Sequence, residues 1–283
     1  MDHQSPKSWL SMSDDVSQSM PATPVTVAVR PSWRAGLFEY GPPTLLVISL
    51  LLLWEGLVWF FAIPDWLLPP PSRIVRTLFA SLPVLAGHTL ATLTVTIPGF
   101  ALALVAGFSL GIALDASPVL RRAIYPLLVT SQTVPIVAIA PLLVVGFGFG
   151  LLPKVLVVAL ITFFPIVVNT IDGLQSADRD QRRLLEAMGA SYWQLLRLLR
   201  LRAALPAIFT GIKVSITYSV IGAVLAEWIG ASAGLGVYIA RSLRAFRTDQ
   251  VFVAALVTSL LTIALFTLVS LLERWIVFWK GER

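Results

Sequence analysis

Apolar residues run along this chain in six long blocks, broken by short polar or proline-rich interruptions. The blocks cover roughly residues 44–63, 89–114, 123–147, 155–171, 207–229 and 251–278. A helix needs roughly 20 residues to cross the ~30 Å hydrocarbon core of a bilayer, so the pattern predicts an all-α integral membrane protein with six spans. Residues 1–36 show no periodicity and are expected to form a flexible tail. They have no charged start leading into an apolar core, so they are not read as a secretory leader. Residues 37–283 are expected to form one transmembrane domain.

The interruptions refine this picture. Pro64 to Pro71 reads as a stiff turn, followed by a short helix over 72–85 with Ser72 as its N-cap. Asp115 to Arg122 reads as a short basic turn. The third block carries Pro126, Pro135 and Pro141 around Ser131, Gln132 and Thr133. Broken polar backbone at membrane depth is tolerated where it lines a cavity, so this block either borders a translocation path or is simply kinked packing. Gly146 to Pro153 is a turn, and 234–250 reads as a polar loop. Small residues recur every fourth position at Gly99, Ala103, Gly107 and Gly111, and again at Gly211, Ser215, Ser219 and Ala223. A third set is Gly222, Ala226 and Gly230. Such stripes let helices approach closely.

Composition agrees with a membrane protein. Of 283 residues, 57% are hydrophobic and 13% charged, and the mean hydropathy is +0.84. The net charge of +6 reflects Lys and Arg collected in cytoplasmic loops rather than nucleic-acid binding. With the N-terminus inside, fourteen basic residues lie on the cytoplasmic side and six outside, which predicts that both termini are cytoplasmic. The loop with Arg241, Arg244 and Arg247 dissents. There is no cysteine, so disulfides, thiolate chemistry and cysteine metal sites are excluded, and the presence of only two histidines argues against a histidine-based metal centre. An intramembrane enzyme would have only Glu55, Glu227 and hydroxyls to work with, and a self-gating channel would not need a stiff cytoplasmic loop. Glu55 lies inside the first block, either on a pathway or facing the bundle interior or a wet cavity. Lys213 and Asp172 are placed to pair structurally. Ser131, Gln132, Thr133, Asn169, Tyr218, Ser219 and Glu227 are the candidate path residues, each also explicable as packing.

One stretch, 178–206, is charged and amphipathic and is tied at both ends to spanning helices. It holds six arginines and an apolar stripe of Leu184, Leu185, Met188, Tyr192, Leu195, Leu196 and Leu199. Asp178 and Gln181 suit a capping box, Arg182 and Glu186 can pair four residues apart, and Gly189 interrupts the helical pattern. Two short amphipathic helices meeting near Gly189 and Ala190 are expected, either on the membrane surface or against a partner. Any force on them passes to the spans on either side.

Within this stretch, EAMGASYWQLLRLLRLRAALPAI resembles the EAA loop of inner-membrane permeases of binding-protein-dependent ABC importers. The match is carried by Glu186, Ala187, Gly189 (with the motif slid), Leu199 and Leu201 at the right distance from Gly189, and an intact Leu205–Pro206. Met188 stands in the region of the third alanine, and Arg202 takes the place of the first proline. Pro71–Ser72, GFGFG, AEWIGASAGLG and FRTDQVF resemble the nitrate, sulfonate and taurine branch, and AEWIGASAGLGVYIARS is most similar to importers of thiamine pyrimidine precursors or riboflavin.

The resemblance implies a type I importer permease fold in a bacterial inner membrane. It implies that 178–206 is a coupling loop in which Glu186, Ala187, Gly189, Ala190, Tyr192, Leu205 and Pro206 meet a separate ABC ATPase. It further implies a periplasmic or lipid-anchored binding protein, a second permease copy (a homodimer) and contact with membrane lipid. No cofactor is expected in this chain, ATP and Mg being bound by the ATPase; independently, no Gly-x-x-x-x-Gly-Lys-Ser/Thr occurs.

Overall fold

The computed structural model describes residues 33–279, with side chains from 42 onward. Most of the expected tail, residues 1–32, lies outside the described residues. All of the regular structure described is helical: α1 (Trp33–Phe60), α2 (Pro71–Ala116), α3 (Pro118–Ser131), α4 (Ile136–Phe147), α5 (Leu151–Gln175), α6 (Arg179–Ala187), α7 (Tyr192–Leu195), a π-helical turn (Leu196–Arg200), α8 (Leu201–Glu227), α9 (Leu235–Arg244) and α10 (Thr248–Ile276). Five helices are long and apolar enough to cross a membrane. The pair α3–α4, bent by 99° at its break, brings the number to six if it is counted as one broken span. The chain divides into two compact units, one up to Leu51 and one from Leu52. In the first, Ser49 Oγ donates to the Leu46 carbonyl at 2.9 Å.

The second unit is organised on α5, which lies between α2 and α8. Small residues set these two contacts. A β-carbon on Gly99, Gly107 or Gly111 would come within 2.6, 3.0 and 2.7 Å of Val158, Ile166 and Thr170. The partners advance together along both helices, so α2 and α5 run parallel. On the other side, Gly211 faces Asn169 and Gly173 faces Ala204 and Ala207, an antiparallel contact with α8. Ser215 Oγ adds a hydrogen bond to the Thr162 carbonyl at 2.8 Å. The first two of the three stripes read from sequence are thus interhelical seams.

Several boundaries differ from expectation. The helix expected over 72–85 does not stop: α2 continues through Pro83 and Pro98 for 46 residues. Each proline removes one hydrogen bond, but Ile74 and Leu85 are buried in a cluster with Leu235, Tyr238, Val253 and Ala254, and this packing favours a helix that continues past Pro83. Ser72 is not its N-cap. Pro70 holds that position without a side-chain hydrogen bond, while Ser72 donates from N and Oγ to the Glu55 carboxylate at 3.0 and 2.7 Å. Glu55 is therefore satisfied at a helix N-terminus, where a negative charge is favoured. The basic turn expected at 115–122 is helical apart from Ser117, whose Oγ caps α3 at Leu120 N. The loop expected over 234–250 contains α9, whose Leu235, Val237, Tyr238 and Ser242 are buried while Arg241 and Arg244 end its last turn.

Lys213 does not pair with Asp172. Its Nζ reaches Glu273 on α10 at 2.7 Å, with the two side chains 23% and 13% exposed. Lys213→Met removes the cation facing Glu273 and is expected to cost about 2 kcal/mol, between the surface and buried limits. Lys213→Met with Glu273→Leu should recover most of that loss. Thermal melting of the purified protein in detergent checks both, and equal destabilisation by the single and double variants would refute the pairing.

Candidate functional site

The stretch 178–206 forms an elbow with both arms capped. Asp178 Oδ1 accepts from Asp180 N and Gln181 N at 2.8 and 2.9 Å and starts α6. Arg182 pairs with Glu186 at 2.8 Å along it. The helix then stops in a left-handed turn: Gly189 has φ +83°, Gly189 N donates to the Glu186 carbonyl and Ala190 N to that of Leu185, both at 3.0 Å. These two bonds are those of a Schellman cap, which glycine forms without a Cβ penalty. The reciprocal capping box lies not at Asp178 but at Ser191, where Ser191 N donates to Gln194 Oε1 (2.7 Å) and Gln194 N to Ser191 Oγ (3.4 Å). A Schellman turn followed at once by a capping box leaves the bend few alternatives.

The second arm is not a separate amphipathic helix. α7 passes through the π turn into α8, giving one continuous rod from Tyr192 to Glu227. This splits the apolar stripe. Leu195 and Leu196 are buried, whereas Leu184 and Met188 are 62 and 75% exposed, and Trp193, outside the stripe, is 64% exposed. Glu186, Ala187 and Gly189 are exposed beside them, and Ala190 and Tyr192 are half-buried. Arg202 is exposed within α8, so its replacement of a proline leaves the helix unbroken. Leu205 and Pro206 lie further along the same helix, and Thr210 Oγ1 donates to the Pro206 carbonyl at 3.0 Å. On the inner side, Arg200 Nη2 meets Asp115 Oδ1 at 2.7 Å, with side-chain exposures of 8 and 2%. Nothing in the sequence marks these partners: they are 85 positions apart, and Asp115 reads as a turn residue.

The candidate path residues do not converge. Ser131, Gln132 and Thr133 lie exposed at the α3–α4 break, with the Ser131 and Thr133 hydroxyls bonded to the Leu128 and Thr130 carbonyls. Tyr218 is 47% exposed on α8. Asn169 Nδ2 donates to Pro165 O at 2.8 Å and packs on Gly211. Ser219 is fully buried and bonded to the Ile216 carbonyl.

Glu227 is buried at 1% exposure in the corner formed by AEWIGASAGLG. Its Oε2 accepts from Gly236 N at 2.7 Å, while Thr92 Oγ1 accepts from Leu235 N at 2.9 Å. His88 Nδ1 lies 3.0 Å from Gly234 N. Glu227 therefore anchors the first turn of α9. The acid and the glycines were legible in the sequence; their enclosure by α2 was not.

The chain matches known transport proteins in family profile, in sequence and in fold. A family profile described as the binding-protein-dependent transport system inner membrane component matches residues 99–278. The formylaminopyrimidine transport permease protein ThiX of Halalkalibacterium halodurans is 39% identical over 242 residues, covering 85% of this chain and 96% of that protein. The riboflavin transport system permease protein RibX of Chloroflexus aurantiacus is 38% identical over 269 residues, covering 94% and 100%. The taurine transport system permease protein TauC of Escherichia coli is 29% identical over 265 residues, covering 89% and 95%. Among solved structures, an amino acid ABC transporter chain superposes with a TM-score of 0.60 at 14% identity, covering 70% of this chain and 97% of that one; this likeness concerns the fold.

Proposed function

We infer that this chain, which belongs to the family of inner-membrane components of binding-protein-dependent transport systems, imports a small heteroaromatic organic solute delivered by a separate binding protein. The observation that carries this reading is the near-full-length similarity to permeases named for formylaminopyrimidine and riboflavin. A sulfonate or taurine solute is the second reading, supported by the lower identity to TauC. ATP and Mg belong to a separate ABC ATPase, and the elbow at 178–206 is its docking element. Leu184, Met188 and Trp193 support this, because an exposed apolar cluster beside charged residues fits a partner protein. In this arrangement both termini and the elbow face the cytoplasm.

A second copy of the chain completes the path. Polar, irregular backbone does not face lipid within the hydrocarbon region, yet Ser131, Gln132 and Thr133 stand exposed at the break of a spanning pair. Around them Val137, Leu142 and Val145 are 63, 69 and 85% exposed. A facing copy covers the apolar residues and leaves the polar break and Tyr218 on a shared cavity. Asn169, Ser219 and Glu227 take part in helix packing instead. The remaining apolar surface meets lipid.

The substrate reading is tested with the binding protein encoded beside this chain, by thermal shift against aminopyrimidines, flavins, sulfonates and taurine. Stabilisation by a pyrimidine or flavin, and transport of that compound by the reconstituted complex, is the expected result. Stabilisation by taurine or a sulfonate alone would replace the first reading with the second.

A further inference from the structure

The buried contact behind the elbow has three partners. Arg200 closes the π turn. Its Nη2 is 2.7 Å from Asp115 Oδ1, and its Nε donates to the Leu174 carbonyl at 3.1 Å. Asp115 is the penultimate residue of α2, immediately before the turn into the bent pair α3–α4, and Leu174 is the penultimate residue of α5. One guanidinium therefore joins the segment leaving the elbow to the ends of two spanning helices. Around it, Leu174, Leu196, Ala204 and Ile208 form a buried cluster, with Tyr192, Phe108 and Ile112 packed against it. Tyr192 Oη is also buried, beside the Asp115 carboxylate.

A buried ion pair is a poor source of stability, since desolvation offsets much of the attraction. It does constrain direction. A planar guanidinium offers donors along fixed vectors, and here two of them are taken by different helices. The π turn beneath it is a local departure from α geometry of the kind found at functional sites. The helix thus deviates where it leaves the elbow, and it is tied to its neighbours at the same level.

We propose that Arg200 is a positioning residue for transport: with Asp115 and the Leu174 carbonyl, it makes the elbow, the α2–α3 junction and the end of α5 move as one body. This rests on the docking of an ATPase at the elbow proposed above. A displacement imposed on α6 then arrives at the α3–α4 pair without being absorbed in α7. Leu184 and Met188 receive the push, and Arg200 carries it inward.

The absence of native cysteine allows spin labels at Asp180→Cys on α6 and Val119→Cys on α3, both exposed. Distances between them are measured in the full chain alone and in its complex with the ATPase, before and after trapping with ATP and vanadate. The informative variant is Arg200→Met with Asp115→Leu, which removes both charges together, because either single change can fail to fold by leaving one charge buried. The native pair of labels should keep one narrow distance in every state. In the double variant the distribution should become about twofold broader, reflecting local opening, and should shift on trapping, while the ATPase still co-purifies. An unchanged narrow distance in the double variant overturns the proposal, as does a native distance that shifts on trapping. If the ATPase does not bind the native chain, the docking reading falls. The chain measured alone then still decides the tie, broadening in the double variant supporting it and a narrow distribution refuting it.

Discussion

Gly234→Ala is expected to disrupt the corner between α8 and α9 and to be among the most damaging single-methyl additions in the protein. Gly234 has φ +133° and ψ 161°, a region essentially confined to glycine, and holding another residue there costs about 1–3 kcal/mol. The added β-carbon would also stand 2.2 Å from Glu227 Cδ. That carboxylate cannot retreat cheaply, because its Oε2 holds Gly236 N and the side chain is enclosed. Overpacking of this kind adds about 1–3 kcal/mol, so a total near 4 kcal/mol is expected. The measurement is the yield of monodisperse protein in detergent together with its melting temperature. Combining Gly234→Ala with Glu227→Ala should relieve only the steric part. A single variant that melts like the native protein would show that the corner is loose.

Leu184→Glu with Met188→Glu should abolish retention of the ATPase while leaving the permease as stable as before. Both side chains are more than half exposed, and exposed substitutions away from special features usually stay within about 0.5 kcal/mol. At a docked interface the same residues would be anchors, each worth roughly 2 kcal/mol or more, so affinity should fall at least tenfold. Co-purification from a strain expressing both subunits, together with a thermal melt of the permease, separates the two effects. Undiminished retention would place the docking surface elsewhere, and a collapsed melt would show that these residues serve the permease's own fold.

The span count and the two small-residue stripes were legible in the chain because they depend on hydrocarbon length and on a local four-residue period. The break of the helix at Gly189 and the Arg182–Glu186 pair were legible for the same reason, since both are settled within one helical turn. What escaped depends on distant partners. The helix over 72–85 reads as short until Leu85 is seen packed against residues of α9 and α10. Asp172 reads as the neighbour of Lys213 until α10 brings Glu273 to 2.7 Å. Arg200 reads as one more basic residue in a charged stretch, and only the fold shows it turned inward onto Asp115. Of the elbow, sequence placed the bend and the charged face. It did not show that the second arm is continuous with a spanning helix, because a π turn carries no compositional signature.

The glycine seam between α2 and α5 limits how this molecule can change shape. The contacts at Gly99, Gly107 and Gly111 behave like teeth in a rack. At 1.5 Å per residue, a slip by one position would drive neighbouring side chains into places that already exclude even a methyl group, and the next equivalent register lies about 6 Å away along the helix. Gradual sliding of α2 along α5 therefore meets steric resistance at each of these contacts. In the transport proposed above, access to the two sides of the membrane would alternate by swinging this interlocked block whole, carrying the bent pair α3–α4 with it.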